Sequence, residues 1–220
     1  MALSLRLRAV LELARGCEIL ADIGTDHGFL PIEACSMEIC EKAIACDINK
    51  GPLAVAKANI RAAGLSHRIE TRLGDGLKPL CEKEADCIVI SGMGGMRIWN
   101  ILHTEPGKAR FAKKLVLGPQ HNVPELRKNL HGMGFEILTE KLVYEDSRFY
   151  VILVTTYTGE IKSWTEQEYF LGKYLRDSED FMPYLRYHRS QIDGYIGSLK
   201  HPSSLQLAAL RLSWIDKLLM

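Results

Sequence analysis

The chain has 220 residues, 47% of them hydrophobic and 25% charged, with 28 Lys and Arg against 27 Asp and Glu. This composition is that of an ordinary globular protein and excludes an intrinsically disordered one. A net charge of +1 announces no nucleic-acid partner, so any such site must come from local clustering. The amino-terminal stretch MALSLRLRAVLELARG sets arginines inside an apolar pattern and shows no small-residue cleavage site. It is not read as a signal peptide, and a cytoplasmic protein is expected. The longest apolar runs, CIVI at 87–90 and VILV at 151–154, are strand-sized and too short to span a bilayer. Cys17, Cys35, Cys40, Cys46, Cys81 and Cys87 contain no C-x-x-C pair and fit no zinc spacing. They read as small buried hydrophobes in a reducing compartment, and no metal is expected.

In chain order, CEILADI is a strand and a helix begins near Leu30; KAIACDI is a second strand. Pro52 opens the next helix, with Leu53, Ala56, Ile60 and Ala63 on one face and Gly64 as its stop. RIETRL and ADCIVI are further strands, and a helix starts near Met96. KKLVL leads to a helix in which Asn122 and Glu125 resemble a capping box, with Leu126, Leu130 and Met133 facing inward. FEILTEKLVYE and RFYVILVTTY, separated by Asp146 and Ser147, read as an antiparallel hairpin. From Ile161 onward no strand pattern appears. Phe181, Leu185, His188, Ile192, Ile196 and Leu199 recur at helical spacing, as do Leu205, Ala208, Leu212, Ile215 and Leu219.

Strands alternating with helices predict an α/β fold with a buried parallel sheet and right-handed crossovers. Seven strands ending in an antiparallel hairpin match a Rossmann-like class I methyltransferase, followed by an α-helical hairpin or coiled coil. The division expected is 1–159 for the first domain and 160–220 for the second.

The most informative segment is LADIGTDHGFLP at 20–31. A strand ends at Asp22, Gly24 lets backbone approach a ligand, and a helix follows Gly28, the position at which open α/β sheets bind ligands. Asp26 stands where the dinucleotide fingerprint wants glycine, and a carboxylate there repels a pyrophosphate. A dehydrogenase is therefore disfavoured against a cationic ligand without phosphates, and S-adenosylmethionine (SAM) is such a ligand. Asp47, with Ile48 beside it, ends the second strand, where a carboxylate accepts from ribose hydroxyls. Asp75 and Gly76 follow the third strand, placed for an adenine amino group. ISGMGGMRI at 90–98 follows the fourth. Gly92 and Met93 are assigned to the cofactor side of that loop, Gly94 and Arg97 to the acceptor side. The chain lacks both an Asn-Pro-Pro-Tyr-like tetrad and a Pro-Cys nucleophile, so the acceptor should carry its own lone pair.

These motifs, with LVLGPQHNVPELRKNL at 115–130 and EDSRFYVILV at 145–154, resemble the bacterial tRNA (adenine-22-N1)-methyltransferase family. The resemblance spans residues 1–158 and continues more loosely into the tail. It implies a SAM-binding domain and a carboxy-terminal helical domain that helps hold tRNA. By the same resemblance Asp22, Gly24, Asp47, Asp75 and Gly76 are cofactor residues, Asp26 and His27 lie at the active-site end, and Arg6 stands where the family has an arginine. The family's Gln-Pro-Asn after the fifth strand is replaced here by Gly118-Pro119-Gln120.

Between Arg97 and Lys128 lie seven Lys or Arg against two acids. Arg97, Lys113, Lys114, Arg127 and Lys128 are taken from that stretch as RNA contacts. The reading is methyl transfer from SAM to adenine N1 in tRNA, with Asp26 stabilising the positive charge that develops on the base. A SAM enzyme for a small molecule and a non-catalytic RNA-binding module are the alternatives. Monomer and weak homodimer both stay open.

Overall fold

The computed structural model describes residues 3–220. In chain order the elements are α1 (Leu5–Ala14), β1 (Ile19–Ile23), α2 (Phe29–Ser36), β2 (Lys42–Asp47), α3 (Lys50–Ala62) and β3 (Ile69–Leu73). They continue with β4 (Cys87–Met93), α4 (Gly95–Thr104), α5 (Pro106–Phe111), β5 (Lys114–Pro119) and α6 (Val123–Gly132). The chain closes with β6 (Phe135–Glu145), β7 (Arg148–Tyr157), α7 (Glu166–Leu171), α8 (Phe181–Ile196) and α9 (Pro202–Leu219).

Seven strands form one sheet in the order β3-β2-β1-β4-β5-β7-β6. The first five run parallel; β7 lies antiparallel between β5 and β6. The hairpin turns through Asp146 and Ser147, both at positive φ (49° and 61°). Two consecutive left-handed residues are the two-residue turn whose twist suits a hairpin. The strand periodicity sorts side chains to two faces. Cys87 and Val89 join Leu20 and Ile152 beneath α1 and α2, while Ile88 and Ile90 join Leu102, Leu126 and Leu130 beneath α4 and α6.

The helical hairpin expected from the tail forms as α8 and α9, and it packs on this second face. Leu171, Leu185, Ile192, Ala208 and Ile215 belong to the same buried cluster as β5 and α6. The tail is therefore not a detached arm.

Three elements were not read from the sequence. In α1, Ser4 accepts from the Leu7 amide at the helix start, and Ala9, Val10, Leu11 and Ala14 are buried. Of the arginines that break the apolar pattern there, Arg8 is exposed and Arg6 is half-buried. Helices α5 and α7 are too short for their periodicity to show. The capping box predicted at Asn122 does not form: Asn122 has φ 57° and its side chain turns to the His121 ring instead. The same kind of motif does form at Thr165, whose hydroxyl accepts from the Glu168 amide while Glu168 accepts from the Thr165 amide.

Arg127 is the largest correction. Expected on an RNA face, it is fully buried and paired with buried Glu140, Nε to Oε1 at 2.7 Å. Its Nη1 donates to the Tyr169 carbonyl at 2.7 Å, and Glu140 Oε2 accepts from the Tyr174 amide at 3.2 Å. The ion pair ties α6 and β6 to the first helix of the tail. Glu140→Gln should leave an uncompensated buried guanidinium and lower stability by about 3 kcal/mol in urea unfolding. The double variant Arg127→Met/Glu140→Leu should recover most of that loss, because it removes both charges together.

Candidate active site

The site lies beyond the carboxyl ends of β1 to β5. Gly24 leaves β1 at φ 79°, and a Cβ on it would overlap the Met93 methyl group. The amides of Gly24 and Thr25 both donate to the Cys46 carbonyl at 2.9 Å, which stitches the β1–α2 loop to β2. Asp26 follows at φ 52°, a conformation that Asp tolerates better than most residues but that still costs energy. Its amide donates to Asp47 Oδ2 at 3.3 Å, while Asp47 Oδ1 accepts from the Asn49 amide at 2.8 Å. One carboxylate thus holds two neighbouring loops.

The Asp26 side chain is exposed, and His27 Nδ1 lies 2.8 Å from its Oδ2. The imidazole stacks on Phe29 with ring centroids 5.5 Å apart, and Asn59 Nδ2 donates to the His27 carbonyl at 2.9 Å. The cap residue of α2 is Gly28, so Asp26 does not serve as a helix cap. Its carboxylate is free to face the cleft.

That cleft has a volume of about 260 Å³ and carries three carboxylates, Asp26, Asp47 and Asp75. Ile48, Pro52 and Ile101 give it apolar walls, and Gly76, Gly92, Met93 and Arg97 line it as well. Asp75 is exposed and paired with Lys78 at 3.0 Å, a surface contact weak enough for a ligand to displace. The Ser91 hydroxyl is buried without a partner, and a Cβ on Gly92 would meet no atom within 4 Å. Three acids around an apolar slot suit a ligand with cationic groups, hydroxyls and a flat base. SAM has all three, so the residues present fit it.

Asp22 is the exception among the predicted cofactor residues. It is 5% exposed and absent from the wall of the cleft. Burial pushes its carboxyl up to about 6, with the Asp47 charge adding to the rise and Thr25 opposing it. A buried acid near the end of a strand and a ligand contact look alike in sequence.

The GMGG segment divides its work: Gly92 and Met93 line the cleft, while the last two glycines pack against a neighbouring loop. Gly94 and Gly95 pack under the β5–α6 loop, and a Cβ on either would overlap the His121 ring or the Asn122 carbonyl. Backbone bonds seal the contact: Gln120 N to Met93 O and Gly95 N to His121 O, both 2.8 Å. Gly118, where the family pattern has a longer residue, lies over the Ser91 hydroxyl with no room for a Cβ. His121, Asn49 and Asn59 carry no motif that would have revealed them; Pro52 was legible only as a helix start.

The basic residues do not form one surface. Arg97 is exposed at the cleft. Arg6 lies over the Tyr150 ring at 4.9 Å, with its Nε buried and unpartnered. Lys113 and Lys114 open β5 at the opposite end of the sheet; Lys113 pairs with Asp86 at 3.4 Å, and Lys114 donates to the Leu13 and Arg15 carbonyls. Lys128 pairs with Glu166 at 2.6 Å beside the Tyr169 ring. Helices α4 and α5 carry the chain from the carboxyl end of β4 back to the start of β5, so neighbours in sequence end on opposite rims. Among the described residues, no group of three His, Cys, Asp or Glu is placed to hold a metal, and no helix is long and apolar enough to cross a membrane.

Comparison with known proteins agrees with this geometry. The Methyltransferase domain family matches residues 3–153. The tRNA (adenine(22)-N(1))-methyltransferase of Bacillus subtilis is 36% identical over 152 residues, 69% of this chain and 64% of that enzyme's length. The crystal structure of the B. subtilis m1A22 tRNA methyltransferase superposes with a TM-score of 0.87 at 26% identity, covering 100% of this chain and 99% of that one. The Streptococcus pneumoniae protein Sp1610, solved in complex with S-adenosyl-L-methionine, gives 0.89 at 29% identity over the whole of both chains.

The buried Asp22 generates a pH prediction. Its folded pKa, about 6, lies above the unfolded value near 3.8. Stability from this group is complete below the unfolded pKa and falls as pH rises toward 6, because the folded state resists ionisation. Asp22→Asn should therefore stabilise the cofactor-free protein by on the order of 3 kcal/mol at pH 7.5 and far less at pH 4.5. Urea titrations at the two values test this; equal gains at both would exclude the buried-acid account.

Proposed function

We infer the function from one premise: the chain belongs to the methyltransferase-domain family and, within it, to the bacterial tRNA (adenine-22-N1)-methyltransferases. It transfers a methyl group from SAM to ring N1 of an adenine in tRNA, in the cytoplasm, acting as a monomer or weak homodimer. Residues 1–159 form the SAM-binding unit, and 160–220 a helical unit that contributes to tRNA binding.

When bound, SAM supplies an electrophilic methyl group on a sulfonium. The chain's part is to bind, orient and stabilise. Asp47 accepts from the ribose hydroxyls, Asp75 from the adenine amino group, and Ile48 and Met93 offer apolar surface to the adenine ring. Neutral adenine N1 holds an in-plane lone pair, so no protein nucleophile is required and positioning is the main contribution. Arg6 and Arg97, both at the sheet's carboxyl rim, are the basic residues best placed for RNA; Lys128 is a peripheral contact.

The observation that carries this reading is Asp26, an exposed carboxylate on the cleft wall held in a left-handed conformation by Asp47 and braced by His27. Methylation places positive charge on the ring and its amino group. A carboxylate accepting from that amino group binds more strongly in the transition state than in the ground state, which raises kcat. His27 acts by orienting Asp26.

Radiolabelled methyl transfer to unmodified tRNA, followed by nucleoside analysis, should yield 1-methyladenosine. A methyltransferase for small molecules predicts no dependence on tRNA, and a plain RNA-binding module predicts binding with no transfer. Asp26→Asn should lower the single-turnover rate about 100-fold at saturating SAM and tRNA, with both affinities nearly unchanged; near-wild-type turnover would remove Asp26 from the chemistry. Asp47→Ala should weaken SAM binding by about 1–3 kcal/mol in calorimetry.

A further inference from the structure

A second cavity, of about 390 Å³, opens at the same rim of the sheet between the β5–α6 loop and the two tail helices. It falls in the size range of small-ligand sites. The seam that bonds Gln120 to Met93 forms the partition between it and the SAM cleft. Its floor is aromatic: Tyr187 meets Phe149 at 5.6 Å and His188 at 5.8 Å, and His188 in turn packs on Tyr184 at 4.4 Å. Burial, with Arg127 and Arg211 nearby, pulls the His188 imidazole down to about 4, so it stands neutral among these rings.

Part of the cavity's polar lining lacks an internal partner. Arg211 lies over the Phe170 ring at 4.5 Å, and its Nε is buried with no hydrogen-bond partner. Gln120 and Gln191 also face the cavity, and the single carboxylate on its lining, Glu125, is exposed. Unpaired guanidinium, free amides and half-covered aromatic rings form a set that recognises a base and its phosphate.

Resting on the tRNA reading above, we propose that this cavity is a nucleotide subsite, which takes an unstacked RNA nucleotide near the acceptor, its base against Tyr187 and its phosphate on Arg211. The tail then reads RNA through a pocket it builds jointly with the catalytic domain. Drawing a second nucleotide out of the RNA stack gives binding energy at the point where the acceptor must also be extruded.

The test uses the full-length protein and unmodified tRNA, with affinity read by fluorescence anisotropy, which requires no methyl transfer. Tyr187→Leu and Arg211→Gln should each weaken tRNA binding about tenfold, while Tyr187→Phe, which keeps the ring, stays within twofold of wild type. Arg211→Gln should also flatten the dependence of log affinity on log salt by about one phosphate contact. SAM affinity and kcat at saturating tRNA should hold in all three, so the loss appears in KM. Wild-type tRNA affinity in both Tyr187→Leu and Arg211→Gln overturns the proposal and leaves the cavity to a protein partner. A loss shared by Tyr187→Phe, or one matched by a fall in thermal midpoint, overturns it in favour of packing. A wild-type protein that binds tRNA without methylating it ends the methyl-transfer reading, while the affinity comparison still decides the pocket; one that does not bind tRNA at all overturns both.

Discussion

The Asp47 carboxylate is bonded to two backbone amides on different loops, one at Asp26 and one at Asn49. Each bond is charge-assisted, and each satisfies a donor that the loop geometry leaves without a helix or strand partner. Because the Asp26 amide is one of them, the left-handed turn that aims the Asp26 side chain into the cleft depends on a residue at the end of the next strand. The negative charge that holds the loops also bears on Asp22 below, raising its pKa together with burial. The cleft, the exposed Asp26 carboxylate on its wall and the buried acid are therefore parts of one electrostatic arrangement, with Asp47 at its centre.

A second arrangement joins the halves of the chain. Arg127, Glu140 and the carbonyls of Tyr169 and Phe170 form a buried polar junction beneath the tail, surrounded by the apolar cluster that runs from β5 to α9. Buried charges of this kind contribute little net stability compared with apolar replacements, but they tolerate only one mutual geometry. The tail is thereby held at a defined angle over the β5–α6 loop, and the cavity between that loop and the tail helices inherits its shape from that angle.

The sheet was legible because its signal is local and repeated: runs such as CIVI and KAIACD are buried on both faces and show it in composition alone. The loop motifs were legible for the same reason, each lying within a dozen residues. What failed was anything decided in three dimensions. Asn122-x-x-Glu125 and Thr165-x-x-Glu168 look equivalent, yet only the second caps a helix, because Asn122 is drawn into the seam beside His121. Arg97 and Lys113 look like one basic patch, yet a helical return separates them by the length of a strand. Arg127 resembles any surface arginine until Glu140, thirteen residues on in the next element, is found beside it. Of the GMGG glycines, recognised as close-approach residues, Gly94 and Gly95 are approached by this chain's own β5–α6 loop, while Gly92 faces the cleft.

The order of the last three strands has a consequence for how the chain is made. β5 pairs with β7 and not with β6, so the strand that completes the parallel half of the sheet waits for a partner that emerges from the ribosome only after β6. Every residue of the SAM cleft has by then been synthesised, and β5 presents an open edge beside it. The short two-residue turn at Asp146 and Ser147 limits that interval, since it lets β6 and β7 pair locally and dock on β5 as a finished ribbon. Only afterwards do the Tyr169 and Phe170 carbonyls arrive to meet Arg127. The half that holds the cleft is thus assembled before the tail arrives, and vectorial synthesis builds the cleft first and the cavity beneath the tail last.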